Sequence, residues 1–136
     1  MAALTSGRLT KSRSGDRRNF PAAAGARLFT GGLAALTAAG FLVAASADAS
    51  LKVVGRSEGD VDNADGADGD IRGETELGIF AYDNSSAADE IQISDIGSDA
   101  YVVDDQTVAL TDGGGTRPVA GKIHDVDAAG VWIDMR

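Results

Sequence analysis

Cysteine is absent from the 136 residues, and histidine occurs once, at position 124. The first absence excludes a disulfide framework, a thiolate metal site and a cysteine nucleophile. The second excludes a histidine-rich zinc site within one chain. Aromatic residues make up only 5% and prolines number two, whereas the 18 glycines are nearly twice the usual share. The length suits one domain of ordinary size. Few large rings give it a modest core, so cover from a partner surface or from further copies is expected.

Basic residues are also scarce, except at the N-terminus. Residues 1–30 carry Arg8, Lys11, Arg13, Arg17, Arg18 and Arg27 against the single acid Asp16, a net +5. The remaining 106 residues carry six cations against twenty acids, a net -14. A basic arm ahead of an acidic body is the pattern of a tethered interaction segment. The boundaries read as an extended arm over 1–20 and an acidic, glycine-rich β domain over 21–136. The arm is rich in Ser, Thr, Gly and Arg and shows no apolar periodicity. Alone it buries too little apolar surface to offset its ordering entropy, so a partner is expected to order it. Arg8, Lys11, Arg13, Arg17 and Arg18 are the candidate contact residues. Nucleic acid fits poorly as that partner, because the acidic body repels a polyanion and no aromatics interleave with the arginines. An acidic or carbonyl-rich protein groove fits better.

The apolar stretch from Leu28 to Ala47 has three readings. Arginines before it and Ala45-Ser46-Ala47 at its end imitate a secretory signal peptide. The preceding basic region is long for that role, and Gly31, Gly32 and Gly40 interrupt the run. A membrane span needs about 20 apolar residues, and alanine and glycine make these a weak one. The favoured reading is a hairpin, with Leu33–Thr37 and Phe41–Ala44 flanking a turn at Ala38-Ala39-Gly40.

Downstream the pattern is strand and turn. Leu51–Arg56 is β-rich and leads into an acidic glycine loop over 58–70. Residues Ile71 to Tyr82 alternate with period two and read as one long strand. A short helical turn fits around Ser94–Gly97. Tyr101–Val103 and Thr107–Leu110 flank a hairpin turn, and Val119–Val126 and Gly130–Met135 close the chain. Seven or eight short strands predict an all-β fold, a small barrel or sandwich-like domain.

No catalytic constellation emerges. The acidic loop does not match the EF-hand order, because counting from Asp60 puts Asp65 at the glycine position. His124 and Asp125 are adjacent on a strand and point to opposite faces, which denies them a base and orienter geometry. Asp112–Arg117 is glycine-rich but precedes Pro118 and a strand, unlike a phosphate loop. Trp132, the only tryptophan, is a core or interface candidate. No cofactor, no metal and no enzyme activity are expected.

Several short motifs carry a family resemblance. They are Tyr101–Ala109, Thr111–Arg117, Val119–Gly121 and Asp125–Trp132, with Val61–Asp70, Gly78–Phe80, Asn84–Ser86 and the opening Met1–Thr5 upstream. Together they resemble the head decoration (capsid cement) proteins of tailed bacteriophages. The alanine-rich segment 33–50 departs most. The resemblance implies a β-rich body on the outer face of the virion capsid, bound to the major capsid protein, often as a homotrimer, without catalytic residues, cofactor or membrane. Two other classes remain. One is a secreted acidic β protein cleaved near Ala47-Asp48; the other is a displayed β module that binds a glycan or host surface.

Overall fold

The computed structural model describes residues 2–136. Among them are twelve strands and no long helix. In chain order the strands are β1 (Arg17–Pro21), β2 (Arg27–Leu28), β3 (Leu33–Leu36), β4 (Leu42–Ala44), β5 (Lys52–Ser57) and β6 (Val61–Asp62). They continue with β7 (Arg72–Glu76), β8 (Ile79–Tyr82), β9 (Asp99–Val102), β10 (Val108–Ala109), β11 (Val119–Asp127) and β12 (Gly130–Asp134). Two 3-10 turns, Ala87–Asp89 and Ile93–Asp95, interrupt the segment between β8 and β9.

The strands form three sheets, ordered β1-β7-β5-β3-β4, β10-β9-β11-β12-β8 and β2-β6. None is closed into a barrel. The edges of the first five-stranded sheet touch at one parallel bridge, Ala22 to Leu42, and those of the second at Asp83 to Thr107. The fold is all-β, as the turn spacing predicts.

Two apolar clusters hold it. In the larger one, Leu33 and Ala35 of the first sheet pack with Val102, Val108, Ile123, Val131 and Ile133 of the second. In the smaller, Leu28, Ala34, Leu42, Val54 and Val61 fill the other side of the first sheet. That sheet is therefore covered on both faces, which explains the uninterrupted burial of Leu33-Ala34-Ala35. Alanine is a weak strand former, and here its small side chain lets neighbouring layers approach.

The hairpin at 33–44 forms as expected, with Leu36 opposite Leu42 and Ala35 opposite Val43. Gly40 supplies the turn with φ at 89°, a conformation that side chains with a Cβ rarely adopt. As folded, Leu33, Ala34, Ala35, Leu42 and Ala45 are core residues. No helix among the described residues is long and apolar enough to cross a membrane.

Three expectations need correction. The long strand over Ile71–Tyr82 is two strands in different sheets, β7 and β8, separated by Leu77 and Gly78. The inward face also changes parity there: Gly73 and Thr75 are buried in β7, but Tyr82 is the buried residue of β8. The acidic loop contains the short strand β6, with Val61 buried opposite Leu28. The alternation at the C-terminus is broken by a bulge in which Ile123 faces Ile133 and Asp125 faces Trp132, leaving His124 as the extra residue.

The arm is shorter than its charge suggests. Residues 17–20 belong to the body, because β1 pairs antiparallel with β7, Arg17 opposite Glu76 and Phe20 opposite Gly73. The free segment is residues 2–16, and every one of them is exposed.

Candidate binding surfaces of the arm and the body

The five candidate arm cations divide into two groups. Arg17 is held by carboxylates of the first sheet, with Nη1 2.6 Å from Glu74 Oε1 and Nη2 3.7 Å from Glu76 and 3.8 Å from Glu58. Those acids hold its guanidinium above the usual arginine range, the hydrogen bond that Arg17 donates to Glu74 first among the causes. Arg18 donates from Nη2 to the Val54 carbonyl at 2.8 Å and lies 5.3 Å from the centre of the Phe20 ring. Both side chains contact the body, so Arg17 and Arg18 belong to β1 and not to the segment that runs ahead of it. Arg8, Lys11 and Arg13 are exposed and make no ion pair among the described residues.

The arm leaves the body at a defined point. Leu77 N–H donates to the Asp16 carbonyl, and Ser14 hydrogen-bonds the Asp16 carboxylate. That bond from Ser14 lowers the Asp16 pKa. Gly15, Asp16, Leu77 and Arg136 line a small cavity at the exit.

Trp132 sits half-buried on β12, opposite Ala81 of β8 and Asp125 of β11. Its indole Nε1 is buried and finds no hydrogen-bond partner in the chain. It lines a cavity of about 550 Å³ with Arg56, Ile79 and Phe80. A neighbouring cavity of about 580 Å³ is lined by Phe29, Thr30, Asp83 and Asp105, and the two share Gly31, Ala81 and Tyr82. Together they form a groove along β8.

Sequence reading missed Arg56, Phe80 and Tyr82, which build its floor. Arg56 stacks 4.0 Å from the Phe80 ring centre and pairs with Glu58 at 2.9 Å and Glu76 at 3.2 Å. Tyr82 donates its hydroxyl to the Gly31 carbonyl at 3.0 Å. Burial raises the Tyr82 pKa well above the ordinary value; Arg56 opposes the rise, and Asp105 and Glu58 add to it. The alternation Glu76, Phe80, Tyr82 against Arg56 was the only available signal, and it required knowing that β5 lies beside the β7–β8 junction.

The acidic loop serves the fold. Asp60 accepts from the Thr30 N–H at 2.8 Å and from its hydroxyl at 2.9 Å, and Asp68 accepts from Ala24 N–H at 2.7 Å. Asn63, 3% exposed, donates from Nδ2 to the carbonyls of Ala23 at 2.8 Å and Ala67 at 2.9 Å. Among the described residues no group of three or more His, Asp or Glu is arranged to hold a metal ion. His124 is exposed, and the Asp125 carboxylate accepts from Val126 N–H at 2.8 Å. The pair is not assembled as a base and its orienter. No protein-family model matches the chain, and neither a curated protein nor a solved structure matches it.

Proposed function

We propose that this chain is a structural virion protein that decorates and stabilises the outer surface of a phage capsid by binding the major capsid protein. The body acts as a sandwich-like β module, and the free arm is its attachment element. One observation carries this reading: residues 2–15 run ahead of a folded acidic body and are all exposed, with Arg8, Lys11 and Arg13 making no ion pair among the described residues. The resemblance of the sequence motifs to capsid cement proteins supplies the partner. A flexible arm ordered on a groove between capsid subunits exchanges its entropy for contacts there.

Assembly as homotrimers adds avidity. Three arms on one unit raise the effective concentration of the second and third once the first is bound. A protein that binds only the assembled shell stabilises it, by about 2.7 kcal/mol per site at a free concentration of 100 times its Kd. Repeated over a shell, that gain opposes the pressure of packaged DNA.

The placement of the 28–47 stretch favours this reading over a secreted one. Cleavage after Ala47 removes β1, β3 and β4, three of the five strands of the first sheet, and opens both apolar clusters. The test is occupancy on purified capsids by the full chain and by a variant lacking residues 2–13, which leaves β1 and the Asp16 contact in place. Loss of occupancy by the truncated variant is expected, with its thermal stability retained. Equal occupancy by both overturns the role of the arm.

A further inference from the structure

The outer edge of β8 offers an unfilled ladder beside a groove. β8 pairs with β12 on one side only. Met135 N–H donates to the Gly78 carbonyl, and the register places Phe80 opposite Ile133 and Tyr82 opposite Val131. Antiparallel alternation then turns the backbone groups of Ile79, Ala81 and Asp83 away from β12. Those of Asp83 are taken, because its N–H donates to the Gln106 carbonyl and its carbonyl accepts from Val108 N–H. Those of Ile79 and Ala81 face the groove. The unpartnered Trp132 Nε1 lies at the same place.

We infer that this groove receives the N-terminal arm of a second copy of the chain, laid along β8 as an added strand. Unpaired strand edges accept extended segments through main-chain hydrogen bonds, with pockets beside the edge sorting the side chains. The charges fit. Asp83 and Asp105 line the groove without an ion-pair partner among the described residues, while the arm brings Arg8, Lys11 and Arg13. Arg56, the cation in the groove, is already neutralised by Glu58 and Glu76. The arm also brings Leu4 and Leu9, which are 72% and 97% exposed in the single chain.

The donor is another copy because the chain's own arm does not fill the groove: none of residues 2–16 lines it, and the arm leaves the body beside Leu77 and Arg136. Fourteen residues ahead of Asp16 reach about 45 Å when extended, enough to cross to a neighbour. An arm-to-groove contact joins two different surfaces, so it propagates head to tail and closes as a ring when the rotation allows. The pairing belongs to the protein free in solution, before any shell is met, and its failure leaves the capsid reading standing.

A fluorescently labelled peptide of residues 2–16, titrated with the full-length protein, tests the inference by anisotropy. The emission of Trp132, the sole tryptophan, reports whether the peptide lies in the groove. Saturable binding with a change in Trp132 emission is expected. Ala81→Pro removes an outward N–H without touching the β12 ladder and abolishes binding. Asp83→Asn with Asp105→Asn, two side-chain changes that leave the backbone alone, weakens it about three- to tenfold. Absence of binding, or binding undiminished by the double variant and by Ala81→Pro, overturns the proposal.

Discussion

Arg17 and Glu74, 57 positions apart, meet across the β1–β7 pair with Nη1 2.6 Å from Oε1. This contact fixes where the arm stops and the body starts. Glu58 and Glu76 surround the same guanidinium, so β1 is fastened by side-chain charge as well as by its ladder. Arg17→Ala is expected to fray the edge strand without unfolding the sheet behind it. Amide hydrogen exchange should quicken over residues 17–20 and stay unchanged over β11 and β12. High salt should reproduce part of that effect in the wild-type chain, since Arg17 and Glu74 are exposed and their pairing is screened.

Ile133 is fully buried between the two five-stranded sheets. Ile133→Ala removes its side chain from a packed site and leaves a cavity, a change that costs about 2–5 kcal/mol. In a chain of this size the loss lowers the melting temperature by roughly 10 °C or more. A thermal melt followed by circular dichroism checks it. A shift of only a degree or two contradicts the shared core.

Tyr82 ties the groove to the fold through its hydrogen bond to Gly31. Burial raises its pKa in the folded state, so folding favours the neutral phenol. The stabilisation is complete below the unfolded value near 10 and declines as pH rises above it. Tyr82→Phe loses about 1 kcal/mol near neutral pH with the hydrogen bond, and it also removes part of the alkaline loss. Chemical denaturation at pH 7 and at pH 11 separates the two effects.

Asp134 behaves oppositely. Hydrogen bonds from the Arg136 side chain and backbone lower its pKa to about 2. Its contribution is present above about pH 4 and is lost as pH falls toward the folded value. In Arg136→Ala the Asp134 carboxyl is expected to titrate closer to its ordinary value of 3.8. A carboxyl-resolved NMR titration reads this directly; an unshifted midpoint contradicts the assignment of the cause.

Local chemistry made some of the structure legible in the sequence. The 33–44 hairpin follows from a glycine placed between two apolar runs, and β11–β12 from apolar alternation around Asp127–Gly130. The split of Ile71–Tyr82 was hidden because the period of two continues across Leu77-Gly78 while the chain passes from one sheet to the other. A charge pattern likewise cannot separate Arg13 from Arg17. The difference between them is the position of Glu74, more than fifty residues away and known only once β1 has paired. The groove along β8 was invisible for the same reason, since Phe29, Arg56, Ala81 and Trp132 come from four separate parts of the chain.

The most direct test of the capsid-decoration account is the intact mass of this protein recovered from purified virus particles. The account predicts a mass near 13.8 kDa in the particles, with the basic arm retained. A chain lacking the first 47 residues and found outside the cell, absent from particles, contradicts it.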